Sequence, residues 1–243
     1  MNKMKNKITA LVLMCFNALL FISCKQNSYK KMDGKVYFTW SSGATMKMEN
    51  KEMKDADFST FETIKNKENI ALAKDKNHVY KEDKIIENAD PKTFEPLKQR
   101  FWKDKNHVYF LRVYGNDCLI NEADPKTFVV VKDSWTKDKN NAFYIYDKLK
   151  EVDLQTFTPI DKDWAKDKQT YYYQNFKVGG LDFKSAEIIS PYYIKDNKNV
   201  FFQNKIVNGA NPQTFVADKF SGFGQDDKNK FYNERNDGSI SKK

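Results

Sequence analysis

The 243-residue sequence has few residues of the kinds that build disulfides, metal sites or catalytic triads. Its three cysteines are Cys15, Cys24 and Cys118, and the first two lie in or next to an N-terminal apolar segment. Cys118 is then the single cysteine of the remaining chain, so no intramolecular disulfide is expected there. His78 and His107 are the two histidines, and no Ser or Cys motif of a nucleophilic enzyme accompanies either one.

The motifs of common enzyme classes are also missing. HExxH, CxxC, a phosphate-binding glycine loop and GxSxG do not occur. The repeated Asp-x-Asn, as in Asp75–Asn77, offers too few oxygen ligands for an EF-hand calcium loop and is explained by turn chemistry. We therefore predict no catalytic residues, no cofactor and no metal, and we expect that the chain is not an enzyme.

Arginine is scarce, because Arg100, Arg112 and Arg235 stand against 39 lysines. Bidentate recognition of bases and phosphates favours arginine, so nucleic acid is not an expected partner. The formal net charge of +9 falls by three if Lys3, Lys5 and Lys7 are removed with a signal segment. Lysines spread through turns indicate a solvated surface, with a nonspecific attraction to anionic envelope polymers.

The N-terminus has the pattern of a lipoprotein signal. Three lysines precede an apolar stretch, Ile8 to Ile22, which is short for a membrane span and typical of a signal peptide. Ser23-Cys24 then resembles the bacterial lipoprotein processing site, although Phe21 stands where Leu is usual. We expect residues 1–23 to be cleaved and Cys24 to be lipidated. An uncleaved anchor or an ordinary secretory signal is the alternative.

Residues 24–34 are predicted to be a polar tether. Localisation would follow from the lipid: a membrane-anchored protein of the bacterial cell envelope, facing the periplasm or in the outer membrane.

The remaining chain is a tandem array. The heptapeptide KDKNHVY stands at 74–80 and again at 103–109. Weaker copies follow, and aligning them on their aspartate gives the series Asp75, Asp104, Asp138, Asp167, Asp196 and Asp227. We call this motif the DKN signature. The period is about 29 residues, and a five-residue insertion within Arg112–Cys118 lengthens one repeat.

A second motif, the DPKTF signature, follows each DKN signature except the last. ADPKTF occurs at 89–94 and 123–128, with degenerate relatives at 152–157, 181–186 and 210–215. A worn first repeat runs from KVYF (35–38) to ADFSTF (56–61). The repeat domain is thus predicted to cover residues 35–235, and residues 236–243 are predicted to be a polar tail.

The columns of this alignment are largely apolar. One column is wholly aromatic: Tyr37, Tyr80, Tyr109, Phe143, Tyr172, Phe201 and Tyr232. About five such positions per repeat are too few for a separate core but suffice if neighbouring repeats stack. The column after the aromatic one varies, which favours an exposed position. Its members Phe110, Tyr144, Tyr173 and Phe202 are therefore predicted to form a ladder of possible ligand contacts.

The local pattern predicts strands. Short runs rich in Val, Tyr, Phe and Ile alternate with Asp, Asn and Gly, without a helical stripe. Asp-Lys-Asn suits a tight turn, and Asp-Pro-Lys-Thr-Phe suits one helical turn that directs its Phe inward. The predicted fold is all-β: three-stranded repeats stacked into an elongated or coiled array, with a β-propeller as the alternative.

The DKN and DPKTF signatures together resemble the DKNYY repeat family of bacterial proteins. The resemblance covers roughly residues 35–235, and it implies a repeat fold without an activity, substrate or active site that could be transferred. Ala186, in the Phe column, and the non-matching start at Met32–Lys35 depart from the pattern. These departures indicate repeats whose sequence has diverged from the consensus.

Two functions remain open at this point. The first is a noncatalytic envelope lipoprotein whose repeats form a binding or interaction scaffold, with the membrane, an envelope protein or a glycan as partner. The second is an envelope enzyme that acts on glycans through Asp and Glu from neighbouring repeats. His78 and His107 favour neither, because their column holds Asn, Thr and Lys in other repeats.

Overall fold

The secondary structure is entirely β in the part of the chain that the structure, a computed structural model, describes. These are residues 27–42, 47–113, 115, 116 and 118–239. Their strands form seven small antiparallel sheets, one per repeat. The all-β repeat array is thereby confirmed. Within those residues, no helix offers the length and apolar character needed to cross a bilayer.

The first unit, Met1–Lys92, contains two sheets. The three-stranded sheet consists of β1 (Ser28–Met32), β2 (Lys35–Ser41) and β3 (Met48–Glu52). The four-stranded sheet consists of β4 (Glu62–Ile64), β5 (Leu72–Lys74), β6 (Val79–Lys81) and β7 (Lys84–Ile85). β1 pairs along its whole length with β2. The prediction of a tether is therefore wrong for Ser28–Met32, because this polar segment completes a sheet edge.

The second unit, Thr93–Lys243, contains five four-stranded sheets. The first two are β8 (Glu95–Pro96), β9 (Phe101–Lys103), β10 (Val108–Phe110) and β11 (Cys118–Leu119), then β12 (Val129–Lys132), β13 (Trp135–Lys137), β14 (Ala142–Tyr144) and β15 (Asp147–Lys148). The next two are β16 (Thr158–Pro159), β17 (Trp164–Lys166), β18 (Tyr171–Tyr173) and β19 (Phe176–Lys177), then β20 (Glu187–Ile188), β21 (Tyr193–Lys195), β22 (Val200–Phe202) and β23 (Lys205–Ile206). The last is β24 (Val216–Ala217), β25 (Phe223–Gln225), β26 (Asn229–Tyr232) and β27 (Arg235–Ser239).

Each complete sheet has four strands, so the prediction of three-stranded units is wrong by one strand. The additional strand follows the Phe of the DPKTF signature, as β16 follows Phe157, and pairs with the next strand through Thr158–Lys166. Such edge strands are mostly two residues long and exposed or half-buried, which is too short for a hydrophobic alternation that a sequence pattern could reveal. The two central strands of each sheet supply most of the core.

Each central hairpin has two apolar faces. In β17–β18, Trp164 and Tyr173 are paired on one face, while Ala165 and Tyr172 are paired on the other. We call the first the downstream face, because Trp164 and Tyr173 pack with Ile194 and Phe201 of the next sheet. The second is the upstream face. Clusters of this kind fill the spaces between successive sheets within each unit, which confirms that stacking makes the core.

The Phe of the DPKTF signature fills the same spaces, and in the last sheet it lies against a glycine. Phe215 lies so close to Gly224 that a Cβ built on the glycine would be 2.3 Å from the ring. Where Ala186 replaces the Phe, the larger Ile194 occupies the facing strand in the same cluster. The larger Ile194 side chain thus compensates for the volume lost where Ala186 replaces the Phe.

The last repeat begins one residue earlier than the sequence alignment placed it. Asp226, and not Asp227, is buried and accepts the N–H groups of Lys228 and Asn229, as the other DKN aspartates do in their turns. Phe231 then falls in the aromatic column and Tyr232 in the variable one. The predicted polar tail is also wrong for residues 236–239, which belong to β27 (Arg235–Ser239) and so to a strand that pairs with β26.

Candidate interaction surface

The aspartate of the DKN signature is a buried acceptor that joins two repeats. One oxygen of Asp167, Oδ1, accepts the N–H groups of Gln169 at 2.8 Å and Thr170 at 2.9 Å, which closes the turn. The other, Oδ2, accepts the N–H of Asp153 in the preceding DPKTF signature at 3.0 Å. The hydroxyl of Tyr172 donates to the same Oδ2 at 2.9 Å. The carboxylate is therefore saturated by the protein itself.

The same links recur along the array. They join the N–H of the DPKTF-signature residue to Oδ2 of the next aspartate in the pairs Asp57–Asp75, Asp124–Asp138, Asp182–Asp196 and Asn211–Asp226. Burial by itself raises the pKa of Asp75, Asp167 and Asp226, but the N–H donors outweigh it, so each pKa lies below its ordinary value. These carboxylates stay ionised at neutral pH.

A second set of contacts joins the DKN lysine and the DPKTF threonine. Thr156 Oγ1 accepts the N–H of Lys168 at 3.0 Å, and the Lys168 ammonium pairs with Asp153 at 2.6 Å. Equivalent ion pairs are Lys76–Asp57 and Lys139–Asp124. The most strongly repeated polar residues thus stabilise the joint between repeats.

The predicted aromatic ladder is buried. Phe110, Tyr144, Tyr173 and Phe202 are 5–8% exposed, so the interpretation of their column as exposed is wrong. They lie on the downstream faces of their sheets, where the following repeat covers them. Tyr144 also donates its hydroxyl to Asp163 at 2.7 Å, and burial raises the pKa of Tyr173 to about 12. The column varies because each inter-repeat space is filled by its own set of side chains.

The two histidines lie beside the DKN turns. His78 Nδ1 is 3.3 Å from the Tyr80 hydroxyl, and His107 Nδ1 is 3.7 Å from Asp104 Oδ1. In the described part of the chain, no group of three or more His, Cys, Asp or Glu is arranged to hold a metal ion. Cys24 lies outside the described residues, and Cys118 is in β11.

The downstream face of the last sheet is exposed. Phe223 and Tyr232 are paired across β25 and β26, with ring centroids 4.6 Å apart, and they are 52% and 45% exposed. The residues at the place of Phe223 in the other sheets are at most 2% exposed: Leu72, Phe101, Trp135, Trp164 and Tyr193. Gln225 and Lys230 are the next pair on the same face. We call Phe223, Gln225, Lys230 and Tyr232 the open face.

The sequence alignment missed the open face because of the one-residue error in the last repeat. With Asp226 as the anchor, Phe223 falls three residues before it, in the column of Trp135 and Trp164. The signal was therefore present in the spacing.

The upstream face of the first sheet is also accessible. Tyr37 stands in the aromatic column and is half-buried, whereas later members of that column are at most 2% exposed. Together with Lys30, Met32 and Asn50 it lines a shallow cavity of about 150 Å³. Met32 is 54% exposed. We call these four residues the first-sheet face.

Comparison with known proteins agrees with the repeat architecture. The model of the DKNYY family matches residues 3–112 and 110–236 of the chain. No curated protein and no solved structure matches. The two matches cover nearly the whole sequence, and the chain therefore belongs to the DKNYY family.

Proposed function

We propose that the chain is a noncatalytic lipoprotein of the bacterial cell envelope whose repeats form an interaction scaffold. This proposal rests on one observation: the polar side chains that recur in the repeats have hydrogen-bond and ion-pair partners within the protein itself. The DKN aspartates accept N–H groups from two repeats, and the DKN lysines pair with DPKTF aspartates. Side chains used in this way hold the array together and leave contact with partners to the exposed surface.

The charge state of the buried aspartates supports a noncatalytic role over glycan hydrolysis. A general acid that works near neutral pH needs a carboxyl pKa raised toward that pH. The pKa values of Asp75, Asp167 and Asp226 are lowered instead, so these groups do not hold a proton to donate.

Attachment to the membrane is proposed through a lipid on Cys24. The support is the short apolar segment after Lys3, Lys5 and Lys7, which ends at Ser23-Cys24. In the Cys24→Ser variant, fatty-acid labelling and membrane retention should both be lost. Labelling that persists in this variant would contradict the lipoprotein assignment.

The open face is the proposed contact surface, because exposed paired aromatic side chains are typical of protein interfaces. The test uses residues 25–243, which include every described strand, on a solid support. Solubilised envelope proteins and purified envelope glycan are passed over wild type and over Phe223→Ser/Tyr232→Ser. Phe176→Ser is the matched control, because Phe176 is also 52% exposed but lies on the edge strand β19.

We expect wild type and the Phe176→Ser control to retain a protein that the double variant does not retain, with unchanged thermal unfolding. Equal retention by the double variant would show that the contact surface lies elsewhere. Turnover of glycan by the wild-type chain would contradict the noncatalytic assignment.

A further inference from the structure

We infer that the partner of the open face is a second copy of this chain, which docks there with its first-sheet face. This inference names a partner for the surface of the proposed function and rests on it. It is carried by two independent observations, one on each face.

The first observation is what covers a downstream face inside the array. Tyr193 and Phe202 pack against Phe231, on the upstream face of the last sheet, and against Phe215, the DPKTF phenylalanine that precedes this sheet. Trp135 and Tyr144 pack in the same way against Ala165 and Tyr172. The surface that complements a downstream face is therefore the upstream face of another repeat. Phe223 and Tyr232 present the same aromatic pair, uncovered.

The second observation is that the first sheet presents an upstream face with a depression in it. Its cavity is lined by Lys30, Met32, Tyr37 and Asn50. The cavity volume of about 150 Å³ is of the size of an aromatic ring. Methionine side chains are flexible and adapt to the shape of a partner at protein interfaces, which suits Met32 to contact with a ring. Residues at the place of Tyr37 in other repeats, such as Tyr172 and Phe231, pack against the preceding sheet of their unit.

Both faces combine apolar with polar side chains: Phe223 and Tyr232 lie beside Gln225 and Lys230, and Met32 and Tyr37 lie beside Lys30 and Asn50. Contact between two different faces of identical chains is heterologous, so it extends beyond a pair. Self-association should therefore proceed past the dimer as the protein concentration rises.

The experiment measures molecular mass by sedimentation of residues 25–243 over a wide range of concentration. Two variants block one face each: Phe223→Ser/Tyr232→Ser on the open face, and Met32→Lys on the first-sheet face. Met32→Lys changes an exposed side chain and should leave the fold intact, which thermal unfolding will verify. Phe176→Ser again serves as the control of equal exposure.

We expect wild type and Phe176→Ser to form dimers and larger species, and each blocked variant to remain monomeric when alone. An equimolar mixture of the two blocked variants should give a complex of twice the monomer mass and nothing larger, because one open face and one first-sheet face remain. A blocked variant that still forms a dimer alone would overturn the head-to-tail contact. A wild-type chain that stays monomeric would overturn self-association; if the open-face variant then still loses an envelope protein, the proposed function stands.

Discussion

Asn211 Nδ2 donates to Asp227 Oδ1 at 3.2 Å, at the place where other repeats pair an aspartate with a lysine. In the equivalent pair, Lys168 Nζ lies 2.6 Å from Asp153. Between the last two repeats, the acidic side chain therefore belongs to the DKN turn, whereas in the other pair it belongs to the DPKTF signature. The Asp227 carboxylate also accepts the Thr214 hydroxyl at 2.7 Å, and these hydrogen bonds lower its pKa. The joint tolerates an exchange of chemistry when both partners change together.

This relationship predicts a rescue. Asn211→Asp alone places two carboxylates side by side and should lower the melting temperature slightly, since both groups are exposed. Adding Asp227→Lys recreates the Asp–Lys pair of the other repeats and should restore the melting temperature. Thermal unfolding of wild type, both single variants and the double variant forms a complete cycle. A double variant as unstable as the sum of the single variants would contradict this account of the joint.

The buried aspartates predict loss of stability in acid. Because the folded pKa values of Asp75, Asp167 and Asp226 lie below that of an unfolded aspartate, near 3.9, the unfolded chain takes up protons first as the pH falls. Their stabilisation is therefore complete at neutral pH and is lost progressively as the pH drops below about 4 toward the folded pKa values. Urea unfolding at a series of pH values measures this slope.

The Asp167→Asn variant gives the matching control for the acid prediction. It should be less stable at neutral pH, because the amide presents a donor where the carboxylate accepted N–H groups from two repeats. Its free energy of unfolding should then fall less steeply in acid. An unchanged slope would show that other groups cause the acid sensitivity.

Gly224 predicts a steric limit on the space between the last two sheets. A Cβ at this position would be 2.3 Å from Phe215 Cζ, so Gly224→Ala forces the buried ring to move. We expect a loss of about 1–3 kcal/mol in the free energy of unfolding, the usual range for an overpacked core. Gly179→Ala is the control, because nothing lies within 4 Å of its Cβ. Equal effects at the two glycines would contradict the steric explanation.

The parts of the fold that could be predicted from the sequence are those where one contact recurs in each repeat. The aromatic column stays aromatic because its rings are buried in each later repeat, and Tyr80, Tyr109 and Tyr172 also donate to the aspartate five residues earlier. The one-residue slip at Asp227 arose where that tyrosine is Phe231 and two aspartates stand together. Without a tyrosine hydroxyl, the sequence did not show which of Asp226 and Asp227 is the buried aspartate of the turn.

Other features left no periodic signal. The exposed edge strands, such as Thr158–Pro159, are held by backbone pairing and need no particular side chain. The variable column misled for the opposite reason. Phe110, Tyr144, Tyr173 and Phe202 are all buried, yet the space around each is shaped by different neighbours, so the residue differs from repeat to repeat. Variation in this column therefore reflects core side chains that change together with their neighbours.

Substitutions in the variable column should have two different effects on stability, because Tyr173 is buried and Tyr232 is exposed. Tyr173→Ser should cost about 3–5 kcal/mol, because it opens a cavity against Trp164, whose ring centroid is 4.9 Å from that of Tyr173. Tyr232→Ser, at the same place in the last sheet, should change the free energy of unfolding by less than about 0.5 kcal/mol, since its side chain lies at the surface and is 45% exposed. Urea unfolding of the two variants at low protein concentration, where self-association is negligible, makes the comparison. A mild effect at Tyr173 would return that residue to the surface and reopen the ladder as a contact site, whereas a severe effect at Tyr232 would show that the open face is covered within the molecule.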